Sequence, residues 1–463
     1  MVTNWRPSLD QSQGPLYRAL ADQIVAAVSD GAIPAGAKLP PVRDLAWDLK
    51  ISPGAVARAY RIATDKGALE ATVGRGTFAR GPAERSTALD IFMAPSADAK
   101  IDLRGNRAVD VGQEADLNAA LRRLLDRNRP LPLLDYRAVD DDLSARGVIG
   151  AWLGAGPADM AARMVVTAGA QEGVVAVLCA LRRGGEGLLA CEPIVHPGLK
   201  DAAELAGMKL EPVAADDQGV IPEALDAACA RRRPDALLLT ATLHNPTLSI
   251  MGPERRARLV AVARARDLTL GEDNVYGGLL NDPPPTFAQL APERAWYVNS
   301  FSKIVAAGLR AGVVLTPPGE TQRLLRAHQA ITHKTPYLTT ALAEELVLSG
   351  EADRIRDRVA AEIGARVALT RQALGDLGVV VHQAASFAML PMPEPWTSAE
   401  FAVAAAARDV LVAPRAAYAV ARAPAPDFIR IALGANVGRA ELAEGLARLS
   451  DLIRRGPGAA LLT

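Results

Sequence analysis

The stretch "NSFSKIVAAGLRAG", residues 299–312, places Ser300, Ser302 and Lys303 directly after the apolar run "AWYV", with Arg310 seven residues beyond the lysine. Upstream, "EDNVY" offers Asp273 and Tyr276 three residues apart, and "LHNP" sets Asn245 before Pro246, which biases it to an extended backbone. "TAGAQEG", residues 167–173, brings Gly169, Ala170 and Gln171 to the predicted opening of a helix. Free N–H groups and the positive end of the helix dipole there suit a phosphate. One cofactor needs all of these groups. Pyridoxal 5'-phosphate requires an amine for a Schiff base, an acid facing the ring nitrogen, donors for the phenolate oxygen and a cationic phosphate cradle. On this reading Lys303 forms the Schiff base, and Asp273 keeps the ring nitrogen protonated through a charge-assisted bond. Asn245 and Tyr276 donate to the ring oxygen. Ser300, Ser302, Arg310 and the 169–171 turn hold the phosphate.

The elements that must position these residues alternate along the chain. "ARMVVTAGA" reads as a strand into a turn and "QEGVVAVLCALRR" as a helix; "GGEGLLACEP" and "GLKDAAELAGMK" repeat the order, as do "DALLLTATLHNPT" and "RRARLVAVARARD". "LTLGEDNVY", "AWYVNSFSK" and "AGVVLTP" add further strands. Near-continuous apolar strands between helices predict an α/β fold with a mostly parallel central sheet covered on both faces. Ligands of such sheets sit outside the carboxyl ends of the strands, where the polar residues above fall.

The 463-residue length predicts two or three domains. Lys plus Arg and Asp plus Glu number 52 each, so global charge indicates no polyanionic partner. Cys179, Cys191 and Cys229 show no CxxC spacing and no metal site is expected; they read as small buried hydrophobes in a reducing compartment. The opening "MVTNWRPSLDQSQGP" lacks the regions of a signal peptide, and no apolar run approaches the ~18 residues of a membrane span, so a cytoplasmic protein is expected.

Composition shifts at residues 81–100, a Pro-, Ala- and Ser-rich stretch that reads as an interdomain linker. Before it, residues 12–80 follow their own logic. "LYRALADQIVAAV" has helical spacing, "VRDLAWDL" a second short helix, and Ser52-Pro53 opens a third as N-cap and first turn. "ALEATVGRGTFA" reads as two short strands, which completes the order of a winged helix-turn-helix. From Gly14 to Arg80 nine Lys or Arg stand against six Asp or Glu, a local excess of the sign that DNA requires.

Residues 101–463 resemble the fold-type-I aminotransferases through the ordered set N-P, D-x-x-Y, S-x-S-K and the arginine seven residues after the lysine. The resemblance implies a smaller C-terminal lobe from about residue 345. It also implies that Arg430 in "FIRIALGA" grips a carboxylate, against the alternative of an ordinary edge-strand arginine. His196 in "CEPIVHPG" stands where the family usually stacks a tyrosine on the cofactor ring, or is a plain loop histidine. Tyr136 in "LLDYRAVDD" resembles the tyrosine that reaches the neighbouring subunit's phosphate, or is a core residue. The N-terminal block resembles the GntR-type DNA-binding domain in "GAKLPPVRDLA", "RAY" and "GRGTF", which implies DNA contacts by Arg43, Ser52, Arg58, Tyr60 and, from the wing, Arg75. The usual Ser-Arg and following Thr are replaced by Ser52-Pro53-Gly54-Ala55.

The two blocks together resemble MocR-type transcriptional regulators. That resemblance implies a homodimer on a double-stranded DNA operator, with a pyridoxal-phosphate site that senses a small amino compound. A catalytically active aminotransferase carrying a DNA-binding module is the competing reading; a sensor of the cofactor alone is a third.

Overall fold

The structure, a computed structural model, describes residues 5, 7, 16–29, 32–34, 36–65, 68–72, 76–79, 101–127, 131, 133–134, 142–182, 187–420 and 426–460. The expected linker 81–100 and the candidate residues Arg75 and Tyr136 lie outside the described residues. The chain divides into two compact units, Met1–Asp90 and Ile91–Thr463.

In the first unit, helices α1 (Leu16–Ser29), α2 (Val42–Leu49) and α3 (Pro53–Asp65) precede the antiparallel strands β1 (Leu69–Thr72) and β2 (Gly76–Ala79). Leu20, Ala21, Ile24 and Val28 recur at helical spacing on α1 and bury against Leu45 and Ala46 of α2 and Val56, Ala59 and Ala63 of α3. Lys50 takes a left-handed conformation (φ 53°, ψ 42°) that ends α2. The Ser52 hydroxyl then accepts the Ala55 N–H at 3.2 Å, the expected N-cap of α3. Tyr60 is a correction to the expected DNA contacts. It is buried on the inner face of α3, and its hydroxyl donates to the Pro40 carbonyl at 2.8 Å.

The second unit is built on a seven-stranded sheet. Its strands are β3 (Met164–Thr167), β4 (Gly187–Cys191), β5 (Met208–Pro212), β6 (Ala236–Leu239), β7 (Thr269–Asp273), β8 (Ala295–Ser300) and β9 (Gly312–Leu315). They lie in the order β3-β9-β8-β7-β6-β4-β5. All neighbours described are parallel except β9, which runs against both β8 and β3. Short runs such as "MVVT" and "ALLL" are buried throughout, as a sheet covered on both faces requires. A smaller sheet, in the order β10 (Phe387–Pro391), β12 (Phe428–Ala432), β11 (Ala413–Pro414), lies downstream of the long helix Glu351–Leu374. No helix among the described residues is long and apolar enough to cross a membrane.

Beneath the strand ends lies a fully buried ion pair. Arg256 Nη1 meets Glu272 Oε1 at 2.7 Å, and both side chains are 0% exposed. Three more guanidinium hydrogens go to the Met251 and Ala241 carbonyls and the Thr242 hydroxyl, while Glu272 Oε2 accepts the Phe287 N–H. With both carboxylate oxygens and all three guanidinium nitrogens engaged, the pair fixes β7 against the loop after β6. Glu272→Ala leaves a guanidinium buried without its counter-charge and should cost about 3–5 kcal/mol. Chemical denaturation checks this, and a loss below about 1 kcal/mol would mean that water or another acid reaches Arg256.

Candidate functional site

The reversed strand β9 explains how an arginine joins the carboxyl ends of parallel strands. Gly312 pairs with Thr167 at the end of β3 and with Ser300 at the end of β8. The residues just before β9 therefore emerge at the same edge as the residues just after its neighbours. A Cβ on Gly312 would come within 2.8 Å of the Asn299 carbonyl and 3.0 Å of the Gly169 backbone, so the junction needs glycine.

At this edge lies a cleft open to solvent, with about 600 Å³ of space free of protein atoms, lined by Ala170, Gln171, His196, Asn245, Asp273, Tyr276, Ser300, Ser302, Lys303 and Arg310. Ten residues singled out in the sequence thus share one wall. Thr240, Val174 and Val275 complete it. Two of these are apolar positions with no distinguishing pattern, and Thr240 simply follows the apolar run of β6.

One end of the cavity is built for an anion. Helix α4 (Ala170–Leu181) opens there, with Gly169 at its N-cap (φ 96°, ψ 171°). Arg310 adopts a left-handed conformation (φ 48°, ψ 46°), which costs a non-glycine residue about 1–2 kcal/mol. Its guanidinium crosses Gly169 to donate to the Ala168 carbonyl at 2.8 Å and to the Ser302 hydroxyl at 3.4 Å. A Cβ on Gly169 would lie 2.6 Å from Arg310 Nη2. Glu172 braces the loop from behind: one carboxylate oxygen accepts the Ala168 N–H at 3.1 Å, and the other meets His328 Nδ1 at 3.0 Å. The Ser300 hydroxyl caps the turn that carries Lys303 by accepting the Ser302 N–H at 3.4 Å.

The other end is a set of buried titratable groups. Burial first, and then the cations Arg430, Arg310 and Arg107, bring the Lys303 amine down to about 8, with Asp273 opposing the change. Its Nζ donates to the Asn106 carbonyl at 2.6 Å. Burial pushes the Asp273 carboxyl up to about 6, against the Val275 N–H and the Lys303 charge that favour its ionised form. Burial also raises the Tyr276 phenol to about 12. Its hydroxyl accepts Asn106 Nδ2 at 3.1 Å; Asn245, which lines the same cavity, is joined to Pro246 by a cis peptide bond. His196 is held neutral, at about 3, chiefly by burial and then by Lys303 and Arg430, and its Nδ1 accepts the Gly198 N–H at 3.1 Å. The ring hydrogen therefore sits on Nε2. Glu192, which sequence reasoning passed over, accepts the Thr240 N–H at 3.0 Å, and burial raises it to about 8.

Arg430 is 2% exposed on the central strand of the smaller sheet, not on an edge. Its guanidinium lies 5.6 Å from the Tyr418 ring centroid and donates to the Arg104 carbonyl. It borders the cavity electrostatically, since it acts on Lys303, His196 and Tyr276 alike. Asn106 and Tyr418 carried no motif in the sequence. They are placed here by backbone pairing across long separations.

In the first unit, Arg43, Ser52 and Arg58 are exposed. The Arg58 guanidinium stacks 4.1 Å from the Tyr17 ring centroid, in a groove shared with Arg18, Arg61 and Gly54. That arrangement presents positive charge on one face of α3, as a phosphate backbone requires.

The donor set fits pyridoxal phosphate. An anion cradle with a glycine at the closest approach, a buried acid, phenol and amide donors and an amine of lowered basicity all face one cavity. Residues 110–449 match the model of the aminotransferase class I and II family, and residues 16–79 match that of the gntR family of bacterial regulatory proteins. The chain is 25% identical over 451 residues, 97% of each protein, to the uncharacterized HTH-type transcriptional regulator YdeF of Bacillus subtilis (strain 168). It is 29% identical over 308 residues, 65% of this chain and 62% of the relative, to the HTH-type transcriptional regulator TauR of Rhodobacter capsulatus. In fold it is similar to LysN, an α-aminoadipate aminotransferase from Thermus thermophilus, with a TM-score of 0.68 at 22% identity over 80% of this chain and 97% of that one.

Two outcomes test the site. Gly169→Ala should weaken pyridoxal phosphate binding at least about tenfold in an absorbance titration of the apo-protein, because the methyl group and Arg310 compete for one space. Unchanged affinity would remove the phosphate from this loop. The rate of cofactor uptake requires the neutral amine, so it should rise with pH through about 8, the value of Lys303 in the folded chain. Asp273→Asn removes the charge that favours the ammonium form and should move that midpoint to lower pH. A wild-type midpoint at or above about 10 would put the amine in water.

Proposed function

The chain belongs to the aminotransferase class I and II family and carries a gntR-family module at its N-terminal end, and from that premise we propose a pyridoxal-phosphate-dependent transcription regulator that senses an amino compound in the Lys303 cavity. The observation that carries the reading is the coexistence, in one chain, of a DNA-binding module and a cavity in which amine, acid, phenol and anion cradle all converge. Pyridoxal phosphate supplies a carbonyl carbon reactive toward primary amines and a ring that withdraws electrons.

The chain's own residues do the rest. Lys303 would hold the cofactor covalently, and near neutral pH its lowered basicity lets it give up and regain a proton. Asp273 would keep the ring nitrogen protonated. Tyr276 and Asn245 would donate to the ring oxygen, and neutral His196 would cover the ring. Arg310, Ser300, Ser302 and the opening of α4 would bind the phosphate. Arg430 binds the acidic end of the amino compound by exchanging the Arg104 carbonyl for a carboxylate, a stronger, charge-assisted partner. A homodimer on a two-half-site operator gives each module one half-site.

A second reading, a working aminotransferase, is favoured by the same lysine, whose value of about 8 suits a group that moves protons repeatedly. Turnover with a 2-oxo acid acceptor distinguishes the two.

The deciding measurement is fluorescence anisotropy of the full chain on DNA from upstream of its own gene. Binding should be salt-sensitive and should change about 5- to 150-fold when amino compounds are added to the cofactor-loaded wild type, the usual range of allosteric coupling. Lys303→Ala should abolish the change while leaving DNA binding itself. Affinity no better than for random DNA in every state would sink the regulator and favour the enzyme.

A further inference from the structure

Asn106 belongs to the segment Ile101–Ala108, the first described residues of the second unit, and it touches two polar groups of the site at once. Its main-chain carbonyl accepts Lys303 Nζ at 2.6 Å, and its side-chain Nδ2 donates to the Tyr276 hydroxyl at 3.1 Å. The residue has little freedom to do otherwise. The next N–H, of Arg107, donates to the Gly434 carbonyl at 3.1 Å, and that of Ala108 to the Ser302 carbonyl at 3.2 Å. Gly434 is packed so closely that a Cβ there would lie 2.5 Å from Asn106 Oδ1 and 2.2 Å from the Arg107 carbonyl. Asn106 Oδ1 itself is buried with no hydrogen-bond partner among the described residues. A buried acceptor without a donor is destabilising, so the amide is kept here at a cost to the fold. An alanine would avoid that cost but would lose the donor to Tyr276.

The chemistry of the Tyr276 hydroxyl shows what the donor achieves. A phenol has one hydrogen to give and lone pairs to receive. When Asn106 Nδ2 occupies a lone pair, the hydroxyl hydrogen is turned away from Asn106 and into the cavity. Accepting a hydrogen bond also polarises the O–H and makes it a better donor. The same residue's carbonyl meanwhile gives the Lys303 amine a fixed partner whenever that amine carries a hydrogen to donate.

We propose that Asn106 is a positioning residue of the cofactor site, aiming the Tyr276 hydroxyl with its side-chain amide and the Lys303 amine with its main-chain carbonyl. The proposal rests on the cofactor reading above. It separates cleanly by atom: a side-chain substitution removes the first function and leaves the second.

The test is a pH titration of the absorbance of the lysine-linked cofactor in the full-length, cofactor-loaded protein. A well-aimed Tyr276 donor favours the unprotonated, anionic form of the ring oxygen and keeps the midpoint low. Asn106→Ala should raise the midpoint by about half a pH unit or more, with near-wild-type affinity for the cofactor phosphate. Asn106→Asp, nearly isosteric, replaces the donor by an acceptor, draws the Tyr276 hydrogen out of the cavity and should raise the midpoint further. If Asn106→Ala does not fold, Asn106→Leu, uncharged and close in size but without the donor, decides in its place. A folded, cofactor-loaded variant whose midpoint equals that of the wild type overturns the proposal, because a purely structural asparagine would change unfolding and leave the titration in place. Absence of any lysine-linked absorbance in the wild type removes the cofactor reading, and the proposal falls with it.

Discussion

A buried amine among guanidinium groups is the condition around which the rest of the site is arranged. Burial and three arginines all favour the neutral form of Lys303, and Asp273 is the charge that opposes them. The other ionisable groups do not add negative charge near neutral pH: Glu192 is raised to about 8 and His196 is neutral. The cavity is therefore short of anions. A phosphate at Arg310 and a carboxylate at Arg430 would each relieve that shortage, and both would raise the basicity of Lys303 as they bind. Ligand binding and lysine protonation are thus linked through one electrostatic balance, which makes the amine responsive to what occupies the two ends of the cavity.

That balance depends on a topological detail. A sheet of uniformly parallel strands would carry Arg310, which precedes its strand, to the edge opposite Asp273 and Lys303. Reversing β9 brings it back, and the glycines at 169 and 312 let it cross the backbone closely enough to reach the Ala168 carbonyl. The left-handed conformation of Arg310 is costly in itself and is stabilised by these contacts. The buried Arg256–Glu272 pair performs the corresponding task one strand away, holding β7 so that Asp273 leaves its end in a fixed direction.

Much of this was legible in the residues. Strand ends, the order Asn245, Asp273, Tyr276, Lys303, Arg310 and the helix opening at residues 169–171 were readable because each obeys a local rule of periodicity or turn chemistry. Tyr60 was misread because its motif "RAY" carries both a surface arginine and a core tyrosine, and only helical phase in the folded unit separates them. Asn106, Tyr418 and Glu192 were silent for another reason. Their partners lie far away in sequence, as with Asn106 and Tyr276, 170 residues apart, and no local pattern encodes such pairings.

The segment from Ile101 to Ala108 shows how a change at Lys303 could leave the cavity. Its first residues pair with the C-terminal part of the chain, Ile101 with Asp409 and Leu103 with Leu411 and Ala432. Its later ones bond to Ser302, Lys303 and Tyr276 beside the seven-stranded sheet, and its Arg104 carbonyl holds Arg430. In sequence it is the first described stretch of the second unit. A ligand that takes Arg430 from the Arg104 carbonyl, or alters the hydrogens Lys303 can donate, necessarily changes the partners of this one segment. Such a ligand shifts DNA binding only by as much as its affinity differs between the two hydrogen-bonding states. On the sensor reading, the carbonyls of residues 104 and 106 are the atoms at which that difference would arise, because each is bonded to a side chain, Arg430 or Lys303, whose charge or partner a ligand would replace.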